Sequence, residues 1–252
     1  MEYTRLSESV KIKTVSETTK EGVFEIEGLY SGYGLTIGNA LRRVLLSSLP
    51  GACVTQIKIK NVKHEFTTID GIMEDIVELA LNMKKVRFAF HADEPQILTI
   101  DVKGEKEVTA GDIKTNAQVE VINPESHIAT ITDKKTEFSM ELTVEKGLGY
   151  VPVEVRKVEK LPVGVIAIDA IFTPVTNVNF VVENMRVGER TDFNKVKLTI
   201  ETDGSVKPSV ALHKASNILK DHFAKVAEVE MDVEEVSSEE EGEEAPKKKG
   251  KK

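Results

Sequence analysis

The stretch with the most chemical promise is GYGLTIG, in which Gly32, Gly34 and Gly38 stand directly before a helix-like run. The unpaired N–H groups at a helix N-terminus can hold a phosphate. The spacing here is GxGxxxG, however, with no Lys-Ser or Lys-Thr pair after it and no acidic residue closing a second parallel strand. Neither nucleotide-loop pattern is therefore met, and turn glycines are the alternative role. His64, His91, His127, His213 and His222 are scattered, with no HxxxH or HExxH spacing to anchor zinc or a general base. No GxSxG places a nucleophile, and no DxDxD cluster could hold paired Mg²⁺ ions. The sequence accordingly predicts no catalytic, cofactor-binding or metal-ligating residue. Two basic side chains are more informative. Arg42 and Arg43 interrupt an otherwise apolar run, and Arg43 projects from its polar strip. Such an arginine is either a surface ion-pair partner or the centre of an interface.

The element that must position them runs from Gly32 to Gly51, GYGLTIGNALRRVLLSSLPG. Pro50 and Gly51 end it, so the pattern predicts one helix of about 14 residues. Ile37, Ala40, Leu41, Val44 and Leu45 share one face, while Leu35, Leu46 and Leu49 lie to the side. The polar strip carries Thr36, Asn39, Arg43 and Ser47. That is more apolar surface than one neighbouring sheet covers. Leaving three or four such side chains wet would forfeit roughly 5 to 10 kcal/mol, comparable to the stability of a whole domain. A second surface is therefore expected, most simply another copy of the chain; a single large core is the alternative.

Around this helix the chain divides into recognisable segments. Val10–Thr18 and Gly22–Gly28 alternate as a hairpin, and CVTQIKIK from Cys53 reads as a half-buried strand. IMEDIVELALNMK, 72–84, predicts a second helix with Asp70 as N-cap. From Lys85 to Val155 short strands follow one another: FAF, ILTIDV, VTAGDI, AQVEVI, HIATIT, EFSMELTVE, YVPVEV. LPVGVIAIDAIFTP, 161–174, reads as one mostly apolar strand ending at a Thr-Pro hinge. Val175–Glu183 and Lys195–Thr202 add two more strands, and an amphipathic helix runs from about Pro208 to Val229 with proline at its first position.

Composition limits the class of protein. The 252 residues are 40% apolar, enough for a packed core. Lone Cys53 excludes a disulfide framework and points to a reducing, cytoplasmic setting. No apolar run is long enough to span a bilayer, and MEYTRLSESV lacks the order of a signal peptide. The net charge of −8 comes largely from the end: ten acidic residues lie between Glu228 and Glu244, followed by five lysines. The remainder, 29 basic against 32 acidic side chains, is nearly neutral and gives no bulk reason to bind nucleic acid. The charged tail, 230–252, is expected to be disordered.

At this point a resemblance emerges. GYGLTIGNALRRVLLSSLPGACVTQIKIKNVKHEFTTIDGIMEDIVELALNMKKV closely resembles the N-terminal domain of the bacterial RNA polymerase alpha subunit family, as do GLGYVPVE, DAIFTPV, VENMRVGERTDFNKVKLTIETDGSVKP and ALHKASNILKDHF. The resemblance covers about residues 5–228 and implies an α+β fold. In it, a dimerisation subdomain of antiparallel sheet plus two long helices, 1–50 and 175–229, is interrupted by a β-rich insert subdomain, 51–174. It further implies that two copies pair through the first and last long helices, with Tyr33, Ile37, Leu41, Leu45, Leu219 and Phe223 at the contact. The dimer would be the platform for the large beta and beta-prime subunits. Arg43, Leu46 and His64 match positions that touch beta; Lys84 and Arg190 match positions that touch beta-prime. Mg²⁺, and any Zn²⁺, would be held by other subunits of the holoenzyme, and DNA would be met only through it. Leu148 departs from the family, where a basic residue is common. The family's C-terminal DNA-binding domain is not found before Lys252: if the chain is the full product, direct promoter contact by it is not expected, and if it is a fragment, nothing follows about regulation. A stand-alone homodimeric binding protein of the same fold is the alternative function.

Overall fold

The computed structural model describes residues 8–156 and 162–229; the acidic and Lys-rich tail lies outside the described residues. The order along the chain is β1 (Lys11–Glu17), β2 (Glu21–Leu29), α1 (Tyr33–Ser47), β3 (Pro50–Ile59), α2 (Ile76–Met83), β4 (Phe88–Phe90), β5 (Gln96–Lys103), β6 (Lys106–Thr109), β7 (Ile113–Lys114) and β8 (Val119–Val121). Then come β9 (His127–Ile131), β10 (Glu137–Leu148), β11 (Tyr150–Val151), β12 (Val165–Ala167), β13 (Ala170–Ile171), β14 (Val175–Val187), β15 (Arg190–Thr202) and α3 (Pro208–Ala227). The fold is mixed α+β with antiparallel sheets. No helix among the described residues is long and apolar enough to cross a membrane.

Strands from the two ends of the chain form a four-stranded sheet in the order β1-β2-β15-β14. In β2 every second residue faces inward, so Phe24 and Ile26 are buried opposite Leu198 and Val196 of β15. A five-stranded sheet, β12-β3-β10-β5-β7, is built from the middle of the chain. Two large hydrophobic clusters result, which share no residue, and a small third one joins Cys53, Ala170 and Phe172. One joins Phe24, Leu45, Leu49, Val196, Leu198 and Ala211, among others; the second lies between Val54 and Ile168 and takes in Ile76, Leu79 and Met83 of α2.

Several sequence expectations are corrected. The second helix is capped by Asp75, not Asp70: the Asp75 carboxylate accepts the Glu78 N–H at 2.7 Å. Residues 72–75 instead run along β9, with Ile72 bridging to Ile131 and the Met73 N–H donating to the Thr130 carbonyl. The apolar run at 161–174 is not one strand but β12 and β13. Between them the Ile168 N–H donates to the Thr55 carbonyl, and the Asp169 carboxylate accepts the Val153 N–H and the Lys84 ammonium. Past Ile168 the chain leaves β3, and Ala170 and Ile171 pair instead with Val151 and Tyr150 of β11. β3 begins at Pro50, because Pro50 and Gly51 pair with Leu148 and Gly147 of β10. VTAGDI ends in a 3₁₀ turn, Ala110–Asp112, capped reciprocally by Thr109 and Asp112.

The glycines of GYGLTIG divide between two jobs. Gly32 takes φ +86 as the N-cap of α1, a left-handed turn that suits glycine. Gly34 and Gly38 are packing residues, not turn residues. A Cβ on Gly34 would lie 2.6 Å from Val182 Cγ1, and one on Gly38 would lie 2.6 Å from the Phe180 ring. Their absent side chains let α1 settle directly onto β14. The expected outcome for Gly38→Leu follows from two opposed effects. Helix propensity improves by up to about 1 kcal/mol, while overpacking against Phe180 costs typically about 1–3 kcal/mol. The variant should therefore unfold at lower denaturant concentration in a circular-dichroism titration, and an unchanged or raised midpoint would contradict the packing role.

Candidate assembly surface

Gly34, Gly38, Leu41 and Leu45 are the buried residues of α1, and their 4-3-4 spacing puts them on one stripe. This stripe is turned by roughly 60° from the face that apolar side chains alone define, because two of its four members are glycines. Leu41, Leu45 and Leu49 are consumed by the chain's own core. That corrects the expectation for Leu41 and Leu45: neither has surface left to offer a second copy. The large apolar groups still exposed on α1 are Tyr33, 48% accessible, and Leu35, 64%. Ile37, Val44 and Leu46 are half-buried against the same core.

The start of α1 is held by a residue that the sequence pattern does not single out. Asn194, in β15, is buried, and its Oδ1 accepts the N–H groups of Gly32 at 2.9 Å and Gly34 at 3.3 Å. Its Nδ2 donates to Asn184 Oδ1 on the neighbouring strand. Gly32 has no side chain with which to cap, so Asn194 supplies from across the sheet the acceptor that a Ser or Asp N-cap supplies locally. No local signal could have revealed a cap 162 positions away.

Around this end of α1 lies an aromatic cluster. The Tyr30 ring packs edge-on to Tyr33 at 6.5 Å and to Phe193 at 6.0 Å. The Arg190 guanidinium lies 4.9 Å from the Tyr30 centroid and 5.3 Å from that of Phe193. It also makes a two-pronged pair with Asp192, Nε to Oδ1 at 3.0 Å and Nη2 to Oδ2 at 2.6 Å. Tyr33 and Arg190, singled out for different contacts, are thus neighbours through Tyr30.

Arg42 and Arg43 emerge from the far half of α1, both exposed. Neither has an ion-pair partner among the described residues. Leu46, one turn on from Arg43, is held in place by the Thr173 hydroxyl, which donates to its carbonyl at 3.2 Å. His64 is exposed in the loop after β3, where its carbonyl accepts the Thr67 hydroxyl at 2.8 Å. Beside it Phe66 is 80% accessible. Lys84 closes α2 and pairs with Asp169 at 2.9 Å; that hydrogen bond, with one from the Val153 N–H, holds the Asp169 carboxyl below its usual range. The pair borders a groove of about 140 Å³ lined by Val77, Leu81 and Ile166. Lys84 and Arg190 are each engaged by a carboxylate of their own, Asp169 and Asp192.

The chain divides into two compact units at Leu219/Lys220, within α3. In the first, Leu219 is half-buried against the core of the four-stranded sheet. In the second, the described residues 220–229 are exposed, Phe223 among them. Cys53 is buried, and burial pushes its thiol up to about 12, so it is inert as a nucleophile at neutral pH. Among the described residues no group of three or more His, Cys, Asp or Glu side chains is placed to hold a metal ion.

Comparison with known proteins bears on this surface. Residues 57–173 match the family described as the RNA polymerase Rpb3/RpoA insert domain. The DNA-directed RNA polymerase subunit alpha of Symbiobacterium thermophilum is 46% identical over 231 residues, 91% of this chain and 73% of that protein. The subunit of the same description from Moorella thermoacetica is 48% identical over 216 residues, 86% of this chain and 69% of that protein. The one from Oenococcus oeni is 49% identical over 214 residues, 84% and 68% respectively.

The capping role of Asn194 has a measurable consequence. Asn194→Ala leaves two N–H groups at the start of α1 without their acceptor, which should cost about 1–3 kcal/mol in chemical denaturation. A loss below about 0.5 kcal/mol, the level of an ordinary surface change, would show that water replaces the carbonyl without penalty.

Proposed function

Because the chain belongs to the DNA-directed RNA polymerase alpha subunit family, we propose that it pairs with a second copy of itself and carries the beta and beta-prime subunits of that polymerase. In this reading 1–50 and 175–229 form a discontinuous dimerisation subdomain, and 51–174 form an insert. The two large hydrophobic clusters that share no residue support this division. The chain contributes scaffold; catalytic residues, Mg²⁺ and any Zn²⁺ belong to the large subunits, DNA is met through them, and the assembly works in the cytoplasm.

The observation that carries the reading is the set of large side chains that α1 leaves exposed. Tyr33 and Leu35 at one end, and Arg43 at the other, are held on a helix pinned to a sheet, yet they are not consumed by their own fold. Rigidly presented aromatic, aliphatic and arginine side chains are the kind that dominate binding energy once water is excluded. Dimer contacts fall to Tyr33, Ile37, Leu219 and Phe223, with Leu35 added. Beta contacts fall to Arg43, Leu46 and His64, and beta-prime contacts to Lys84 and Arg190.

Two substitutions separate dimerisation from assembly. Leu35→Glu changes an exposed position, so the circular-dichroism spectrum should match the parent while sedimentation shifts from dimer to monomer. A variant that remains dimeric at micromolar concentration would remove Leu35 from the contact. Arg43→Ala should leave the dimer intact and weaken binding to beta by about 2–4 kcal/mol, as hot-spot truncations do. Full recovery of beta with that variant in affinity purification would overturn the role of Arg43. Failure of the parent chain to bring down two large partners, at half its own molar amount, would favour a stand-alone dimeric binding protein.

A further inference from the structure

One cluster of titratable groups has no part in the proposed assembly surface. Glu74 stands immediately before α2, and its side chain is 7% accessible. It is well supplied with donors. Oε2 accepts the Thr130 N–H at 2.7 Å, and Oε1 accepts the Thr130 hydroxyl at 3.0 Å and lies 2.9 Å from His127 Nε2. On the opposite side of the ring, His127 Nδ1 lies 3.0 Å from Glu107 Oε1. Three separate pieces of chain meet here: the segment leading into α2, strand β9 with His127 and Thr130, and strand β6 with Glu107.

The geometry restricts the protonation state. A neutral imidazole has a single N–H, so with a carboxylate oxygen at both nitrogens one contact would set lone pair against lone pair. Both contacts are hydrogen bonds only when both nitrogens carry protons. The charged groups facing the ring are Glu74 and Glu107; nearby Lys106 is taken up by Asp112. A positive ring between two carboxylates is then the favourable state, and its loss leaves Glu74 buried with one donor fewer.

We propose that Glu74, His127 and Glu107 form a pH-dependent clip that fastens the start of α2 to the two-stranded β6–β9 sheet while His127 is charged, and loosens it when the ring loses a proton. The directions of titration agree. The bond to Glu74 raises the proton affinity of His127; burial opposes this, and Glu107 adds to it. Burial alone would raise the Glu74 carboxyl, but the Thr130 N–H, the His127 ring and the Thr130 hydroxyl together hold it below its usual range. For the histidine, whose folded value exceeds the unfolded one, the stabilisation is complete below about 6.5 and is lost as pH rises through the folded value. For Glu74 it is present above its unfolded value and is lost as pH falls through the lowered one. The clip is therefore tightest in mildly acidic solution and slackens toward alkaline pH. It acts on the helix whose Val77, Leu81 and Lys84 line the groove described above.

The inference stands apart from the assembly role and is tested on the full chain alone. Histidine NMR should place the His127 titration above about 6.5, and Glu107→Gln, an exposed change that spares the buried carboxylate, should lower it. The Thr130 amide, a direct donor to Glu74, should show greater hydrogen-exchange protection at about pH 6 than at about pH 8.5 after correction for intrinsic rates. In His127→Gln that difference should vanish. A His127 midpoint at or below the ordinary value, a midpoint unmoved in Glu107→Gln, or protection in the parent that does not change with pH would each overturn the proposal; the first two remain decisive even where His127→Gln fails to fold.

Discussion

The architecture depends on how closely α1 can approach β14. Two missing side chains, at Gly34 and Gly38, bring the helix backbone against Val182 and Phe180, and that approach sinks Leu41 and Leu45 into the core of the sheet. Interiors are packed as densely as organic crystals, so a contact this close admits few alternative placements of the helix. Asn194 then fixes the helix along its own axis by taking the N–H groups of Gly32 and Gly34. Depth is set by glycines and axial position by an asparagine, and the outward side chains of α1 inherit their positions from both.

That constraint links the ends of the chain. Asn194 and Phe180 belong to the late hairpin β14–β15, whereas α1 follows the early hairpin β1–β2, and all four strands form one sheet. Bringing such distant segments together costs loop-closure entropy, which grows only slowly with length. The intervening segment also closes on itself. The backbone at Gly51 runs against the Phe172 carbonyl, so the chain enters and leaves this intervening segment at nearly the same place. Residues between Val54 and Ile168 meanwhile fill a hydrophobic cluster of their own. A long insertion of this kind disturbs the first sheet little, since its ends are already adjacent.

Exposure divides the candidate residues into those that stabilise the single chain and those that stay open to solvent. Leu45 is inaccessible, whereas Leu35, ten positions earlier on the same helix, is mostly bare. Arg190 looks at first like a charge awaiting a partner, but it is held by Asp192 and stacked against Tyr30 and Phe193. Its contribution is a rigid, partly satisfied surface. Arg43 differs in having no carboxylate nearby among the described residues, which leaves its full hydrogen-bonding capacity available.

Much of this could be read from the order of residues alone. Alternation in Gly22–Gly28 and helical spacing in 33–47 and 208–227 are local properties, and they identified the strand and both long helices because burial on one face imposes a period on any segment that packs. The lone cysteine, the charged tail and the absence of a nucleotide-loop spacing were equally visible in one dimension. The rotation of α1 was not, because a glycine leaves no mark on a hydrophobic pattern even where its lack of a side chain is what the packing requires. The Asp75 cap was missed for a related reason: Ile72 has helical spacing with Ile76, yet its neighbour Met73 bonds to β9, and only the folded chain reveals that competitor. Asn194 and the Glu74–His127–Glu107 cluster were hidden in the same way. Their partners are 162, 53 and 20 positions away, and a hydrogen bond between residues so separated depends on where the sheets place them, which no local pattern of residue types records.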